Sequence, residues 1–111
     1  ISHNDLKSIN TDGAINLKNI FMPSNKLEIV DFNTNTSLET LLISVNKLQQ
    51  IYLENNIGLT HLYISSNSLT SLDVSKNQKL VDLRVDRNPD LTCIKIQTGQ
   101  VIPTVSISEC R

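Results

Sequence analysis

The chain has 111 residues, enough for one domain, and its 39% hydrophobic and 19% charged residues are typical of a folded, soluble protein. A net charge of −1 argues against electrostatic nucleic-acid binding, which needs a basic stripe. No apolar run approaches the roughly 18 residues of a membrane helix, so we expect no membrane insertion. Because the chain begins at Ile1 without Met or signal peptide, we interpret it as a processed or trimmed piece of a longer protein.

The composition favours a repetitive core with asparagine in the turns. There are 15 Leu, 13 Ile and 13 Asn, but only 3 Gly, 3 Pro and no Trp. Gly and Pro are too few to make every turn that a chain of this length needs. Asn tolerates left-handed backbone and bonds to neighbouring backbone groups. We therefore expect asparagines to make the turns.

Leucine recurs along the whole chain in steps that alternate between 11 and 10 residues, with a final step of 11. The segments begin at Leu6, Leu17, Leu27, Leu38, Leu48, Leu59, Leu69, Leu80 and Leu91. The true period is therefore 21, with a long half and a short half nested inside it. The long halves begin at residues 6, 27, 48 and 69, and a truncated fifth begins at 91. The short halves begin at 17, 38, 59 and 80, the last lengthened by Pro89.

Each half alternates apolar and polar residues, as a strand with one buried face does. Positions 1, 4 and 6 of each half are predicted to point inward, and no stretch has a helical period of 3.6 residues. A half of about 10 residues also leaves little room for a helix of normal length. We therefore predict a mostly β fold with little or no helix. Each coil would have two strand-like walls, and successive coils would stack at roughly 4.8 Å.

Two series of asparagines follow the 21-residue period. The first is Asn25, Asn46, Asn67 and Asn88, and the second is Asn35, Asn56 and Asn77. We expect each amide to bond to backbone groups that a turn leaves unpaired, in its own coil and in the next. Replacing either Asn46 or Asn56 by Ala is then predicted to lower the free energy of unfolding by ~1–3 kcal/mol.

The segments LTSLDVSKN and LVDLRVDRN, starting at Leu69 and Leu80, both fit the phrase L-x-x-L-x-L-x-x-N. From Leu6 to about Ile96 the chain resembles the leucine-rich repeat family, in the nested 21-residue class of bacterial surface and secreted proteins that includes internalin-like relatives. The resemblance implies a right-handed solenoid of about five coils in a single domain, residues 1–111. We assign 1–16 to a degenerate N-terminal coil, 17–90 to regular repeats and 91–111 to a C-terminal cap.

The segment NPDLTCIKI, followed by the late Cys110, resembles the end cap of such repeats in secreted proteins of the Bacteroidetes type. The resemblance implies a Cys93–Cys110 disulfide, with VIPTVSISECR folded over the last coil, in an extracellular or cell-surface protein. The alternative is two buried free thiols in a cytosolic protein. Because the spacing is not C-x-x-C, zinc is not expected.

The sequence contains a pair that invites a catalytic interpretation, His61 and Asp82, which would be neighbours on adjacent coils. No nucleophile or pocket accompanies the pair, so a solvated polar ladder is the simpler interpretation. Asp12, Asp31 and Asp73 are scattered along the long halves and do not converge as a calcium site requires. We therefore expect no metal, no cofactor and no enzymatic activity.

The candidate binding surface is position 5 of the short halves, which stacks Phe21, Leu42, Tyr63 and Arg84 on consecutive coils, with His61 and Asp82 in its rim. Aromatic and arginine residues within a polar rim are typical of protein-binding faces. Sheets also favour such residues for cross-strand packing alone. We expect a non-catalytic module that binds a protein or a glycan. The rival is a structural spacer without a ligand, and an enzyme is disfavoured. We expect a monomer, and the uncapped N-terminal coil leaves an edge-to-edge dimer open.

Overall fold

A computed structural model describes residues 4–103 and 109–110, and these contain no helix. One parallel sheet has the strand order β1-β2-β3-β4. The strands are β1 (Asn19–Phe21), β2 (Thr40–Leu42), β3 (His61–Tyr63) and β4 (Asp82–Arg84). Each strand pairs with the next at an offset of 21 residues, as Ile20 does with Leu41. The predicted mostly β, solenoid-like fold without helix is confirmed in this part of the chain, where accordingly no helix is long and apolar enough to span a bilayer.

The strands lie in the short halves, and each has one inward apolar residue between two outward ones. The central residue of each strand is buried, while its two neighbours are partly or fully exposed. Backbone bonding continues past each strand, since Met22 N–H donates to Leu42 O at 2.8 Å and Ser24 N–H donates to Ser44 O at 3.0 Å. Every coil is thus bonded to the next along the same wall.

The core runs through the middle of the stack, between the two walls. The residues at positions 1, 4 and 6 are buried as predicted from Leu27 to Val85, and so are Ile20 and Met22 before them. Leu17 is the exception, being partly buried together with Leu6 and Ile9. These three lie at the N-terminal end, where the described chain covers only one side of the coil.

The long halves do not form the second strand-like wall that we predicted. Asn35 N–H bonds to Phe32 O at 3.0 Å, and Leu38 N–H bonds to Asn35 O at 3.2 Å. The same two turns recur at the corresponding residues of the next two coils. Because these turns use the backbone groups within one coil, few remain to pair between coils. Among the described residues, the backbone pairing between coils on this wall consists of an isolated bridge between Asp73 and Lys95 and a bond from Thr70 N–H to Gln49 O at 3.1 Å.

The left-handed residues of the turns are not the asparagines, which corrects another prediction. Within residues 4–103 and 109–110, the non-glycine residues with positive φ are Ser24, Val45, Ser66 and Arg87, at 55 to 58°. Each immediately precedes a ladder asparagine of the first series. The asparagine supplies side-chain hydrogen bonds, and its predecessor supplies the backbone reversal. Left-handed backbone is strained for a β-branched residue such as Val45.

The C-terminal segment is attached by the predicted disulfide between Cys93 and Cys110, whose Cα atoms lie 5.0 Å apart. The alternative of free thiols is therefore wrong. Ile94 forms a bridge with Glu109, and Cys110 N–H donates to Ile94 O at 2.7 Å. Residues 104–108 lie outside the described residues, and so does most of the predicted fold-over of this segment.

Candidate binding surfaces

The first asparagine series forms a buried ladder beside the sheet. Asn46 Nδ2 donates to Ile43 O at 2.9 Å and Ser44 O at 3.3 Å in its own coil, and to Met22 O at 3.1 Å in the preceding coil. Its Oδ1 accepts from Leu27 N–H at 3.1 Å. Asn67 and Asn88 repeat this set of four bonds, and Asn25 makes three corresponding bonds with described residues. The ladder therefore bonds each coil to the one before it.

The second series forms a ladder beside the turns, and its amides are satisfied on one side only. Asn56 Nδ2 donates to Phe32 O at 3.0 Å and to Asn35 O at 2.9 Å. The Oδ1 atoms of Asn56 and Asn77 are buried, and the described residues provide no hydrogen-bond donor to either. At the N-terminal end of this ladder, by contrast, Asn35 Oδ1 accepts from Thr11 Oγ1 of the preceding coil at 2.7 Å.

Gln100 closes this second ladder at the C-terminal end, which the sequence pattern did not reveal. Its Nε2 donates to Val74 O and to Asn77 O, both at 3.0 Å. These are the two carbonyls that an asparagine of a further coil would bind. Gln100 lies off the 21-residue register, so the pattern contains no signal for it.

The sheet places the predicted stripe on its outer surface in register. Phe21 pairs with Leu42, Leu42 with Tyr63, and Tyr63 with Arg84. Phe21 is 52% exposed, Leu42 and Tyr63 are partly buried, and Arg84 is exposed. The guanidinium carbon of Arg84 lies 4.4 Å from the centre of the Tyr63 ring. This is a cation–π contact, which holds the two side chains against each other.

Asp82 contacts both Tyr63 and Arg84 at the charged end of the stripe. Its carboxylate accepts from Tyr63 Oη at 2.5 Å and faces Arg84 Nε at 3.4 Å. The hydrogen bond to Asp82 raises the pKa of Tyr63 above its usual 10.0, because the bond requires the phenol proton; burial adds to the shift and Arg84 opposes it. The three side chains therefore form one preorganised cluster, which the sequence indicated only as neighbouring residues.

His61 lies in β3 beside this cluster and in register with Asp82. Its Nδ1 is 2.9 Å from Thr60 Oγ1, a polar contact along its own strand. The carboxylate of Asp82 is engaged by Tyr63 and Arg84. These contacts fit a polar ladder at the rim of the stripe.

A second polar row runs beside the stripe at position 7. Ser65 N–H donates to Ser44 Oγ at 3.1 Å, and Ser65 Oγ donates to the Asp86 carboxylate. That side-chain bond is the main cause of the lowered pKa of Asp86. Burial opposes it, while Asp86's own N–H and the charges of Arg87 and Arg84 also lower the pKa. The row keeps an ionised carboxylate next to the two arginines.

The scattered acids of the long halves have a structural role. Asp31 Oδ1 accepts from Asn33 N–H at 2.9 Å, and Asp73 Oδ1 accepts from Ser75 N–H at 2.9 Å. Each is an Asx turn, in which the side chain bonds the backbone two residues on. Within the described residues no group of His, Cys, Asp and Glu side chains is arranged to hold a metal ion.

Tyr52 occupies the same position of its long half and is 64% exposed. Its Oη donates to Gln50 Oε1 at 2.5 Å. Hollows lie on both sides of it. One, of about 240 Å³, is lined by Glu28, Ile29, Lys47, Gln49, Gln50 and Tyr52. The other, of about 70 Å³, is lined by Ile51, Tyr52, Leu53, Glu54, Asp73 and Lys76. Tyr52 was not among the candidate binding residues chosen from the sequence.

No protein-family model matches the chain. No curated protein is significantly similar to it. The function therefore has to be inferred from the chain's own surfaces, of which two stand out. One is the sheet face with its stripe at Phe21, Leu42, Tyr63 and Arg84, and the other is the turn wall around Tyr52.

Proposed function

We propose that the chain is a non-catalytic binding module that recognises a protein segment through the outer face of its sheet. We assign it to the leucine-rich repeat family, as a right-handed solenoid of about five coils from a secreted or cell-surface bacterial protein. The repeated L-x-x-L-x-L-x-x-N phrase and the strand step of 21 residues support the family. The Cys93–Cys110 disulfide supports an oxidising compartment.

The observation that carries the binding proposal is the preorganised cluster of Tyr63, Asp82 and Arg84 beside exposed Phe21. A tyrosine and an arginine already held in position lose little side-chain entropy when a partner binds. Both residue types are enriched among those that dominate interface energy. The hydrogen bond from Tyr63 to Asp82 and the stacking of Arg84 on the Tyr63 ring hold both side chains in position on the outer face of the sheet.

The stripe changes in character from one end to the other. Phe21 and Leu42 are apolar, whereas the Arg84 end carries mixed charge from Asp82 and Asp86. Four strands spaced at roughly 4.8 Å span only ~15 Å. A short segment fits this length, with an apolar side chain over Phe21 and Leu42 and an acidic group near Arg84.

The proposal is tested by selecting peptides from a random displayed library on the immobilised chain, followed by titration calorimetry with synthetic copies. We expect Tyr63→Ala to weaken binding by about tenfold or more, since a hot-spot residue contributes about 2 kcal/mol or more. The matched control is Tyr52→Ala, which removes an exposed tyrosine from the other wall and should bind like the parent chain. The melting temperature of both variants should stay near that of the parent.

A library that yields no saturable peptide would favour the structural spacer instead. Peptides that lose affinity with Tyr52→Ala but not with Tyr63→Ala would place binding on the turn wall and contradict the proposal. If Tyr63→Ala lowered the melting temperature but left peptide binding intact, Tyr63 would have a structural role in the sheet and no role in binding.

A further inference from the structure

We propose that the turn wall carries a second binding site, centred on Tyr52, for a short uncharged oligosaccharide. This site is independent of the sheet face, because it lies on the opposite side of the coil and shares no residue with the stripe. It rests on the departure of Tyr52 from the repeat, on the two hollows beside it and on the chemistry of their lining.

The first argument is that Tyr52 stands where the fold favours an Asx residue. Position 5 of the other three full-length long halves holds Asn10, Asp31 and Asp73. In all three the side chain accepts a backbone N–H two residues on, at 2.9 Å. A tyrosine hydroxyl does not reach back in this way. The third long half therefore lacks a structural hydrogen bond and presents an aromatic ring to solvent, which the fold by itself does not require.

The second argument is the shape around the ring. The larger hollow, about 240 Å³, is slightly below the ~300–1,000 Å³ of pockets for drug-sized ligands, and so suits a single sugar ring. The smaller hollow lies across Tyr52 from it. Tyr52 thus separates two adjacent pockets, and this arrangement fits two consecutive sugar units of an oligosaccharide. The hydrogen bond to Gln50 holds the ring in place.

The third argument is chemical. A sugar ring presents C–H groups on its face and hydroxyls around its edge, each able to donate and accept. Tyr52 and Ile29, which is 79% exposed, supply apolar surface for the face. Lys47 and Gln49 supply donors, while Glu28 and Gln49 supply acceptors. A mixture of apolar surface and converging polar groups is what fixes the orientation of a small ligand.

The charges of the lining favour a neutral ligand. The larger hollow carries Glu28 and Lys47, which balance, and the smaller one carries Glu54, Asp73 and Lys76. Burial by itself would raise the pKa of Asp73, but hydrogen bonds from Ser75 and the charges of Lys95 and Lys76 lower it overall. Its carboxylate therefore stays ionised as an acceptor. Because Lys95 Nζ lies 4.0 Å from the Asp73 carboxylate, acidic and basic groups balance at both pockets, so neither attracts a phosphate or a sulfate.

The experiment exposes the ¹⁵N-labelled full chain to a panel of soluble neutral oligosaccharides, namely β-1,4- and β-1,3-glucans, α-1,4-glucan, xylan and mannan fragments. We expect at least one of them to shift the amide resonances around Tyr52 saturably. Tyr52→Asp is the decisive variant, because it restores the Asx turn of the other coils and so should fold at least as well. It should weaken binding about tenfold or more, whereas Tyr52→Phe, which keeps the ring, should retain most of it.

Tyr63→Ala is the control on the sheet face and should leave saccharide binding unchanged. The proposal is overturned if no member of the panel binds, or if Tyr52→Asp binds as the parent does. Saccharide binding that is lost with Tyr63→Ala and kept with Tyr52→Asp would also overturn it, by moving the ligand to the sheet. None of these results affects the peptide titrations on Tyr63, so the two proposals fail separately.

Discussion

The two walls of each coil have nearly the same leucine motif, yet their backbone hydrogen bonds are arranged differently. On the sheet wall, β1 to β4 bond from coil to coil, and a left-handed residue such as Val45 reverses the chain. On the turn wall, each coil forms two consecutive turns whose hydrogen bonds stay within that coil, and there is little backbone pairing between coils. The leucine phrase therefore specifies which residues are buried, but it does not specify how the backbone is bonded.

The difference extends to the two asparagine ladders. Asn46 uses both its oxygen and its nitrogen, with a backbone N–H and three carbonyls as partners. Asn56 uses only its nitrogen, and its Oδ1 is buried without a donor. A buried polar atom without a partner carries a desolvation cost, which offsets part of what the amide contributes. The sheet-side ladder should therefore stabilise the fold more than the turn-side ladder.

The largest expected effect is the unequal cost of removing the two kinds of ladder asparagine. Asn46→Ala leaves Leu27 N–H without an acceptor and removes a hydrogen bond from each of three carbonyls. We therefore expect a loss of about 3 kcal/mol or more in the free energy of unfolding. Asn56→Ala removes a hydrogen bond from each of two carbonyls, but it also removes a buried oxygen that has no donor. We therefore expect the free energy of unfolding to fall by only about 1–2 kcal/mol. Chemical denaturation of the purified variants measures both.

The matched control is Asn55→Ala, an exposed asparagine next to the ladder, which should change stability by less than about 0.5 kcal/mol. Equal losses for Asn46 and Asn56 would contradict the proposed difference between the walls. A loss at Asn55 as large as at Asn56 would show that the ladder is not the source of the stability.

A smaller effect of opposite sign is expected at the left-handed turn of the sheet wall. Val45 has φ of 58° and is 51% exposed, so its side chain contributes little packing while its backbone is strained. Val45→Asn should raise the free energy of unfolding by about 1 kcal/mol, since Asn tolerates this conformation and non-glycine strain there costs about 1–3 kcal/mol. Thermal denaturation detects the change. Val81→Asn, at a valine of similar exposure without positive φ, should give no such gain.

The smallest effect is a change in one pKa on the sheet face. In a Tyr52→Phe background Tyr63 is the remaining tyrosine, and ultraviolet titration of its phenol reports on it alone. Asp82→Asn should lower the pKa of Tyr63 toward 10.0 because it removes the acceptor that favours the protonated phenol, whereas Arg84→Gln should raise it. An unchanged titration with Asp82→Asn would show that the cluster is not formed in solution.

The sign of the matching pH dependence follows from the raised pKa. Stability from the Tyr63–Asp82 bond is fully present below the unfolded value of 10.0 and is lost as pH rises through the folded pKa. The parent chain should therefore lose this contribution only in alkaline solution. Asp82→Asn should reduce that part of the alkaline loss.

The stripe was predictable because parallel strands one period apart must place equivalent residues side by side. Phe21, Leu42, Tyr63 and Arg84 follow from the 21-residue step alone. The contacts among Tyr63, Asp82 and Arg84 were not predictable, because they depend on rotamers that the period does not determine. Tyr52 had a signal that was not used: it interrupts a column of Asn and Asp.

By itself the sequence determined the period, the inward positions, the buried asparagines and the residues that share a column, because all of these follow from periodic burial of leucine and isoleucine. Tertiary structure decided which wall became a sheet, which residue of each turn took the left-handed conformation, and how Gln100 closed the second ladder. These choices depend on where each backbone N–H and C=O finds its partner. A buried backbone group has to be satisfied by whatever lies next to it in space, and that neighbour is known only once the coils are stacked.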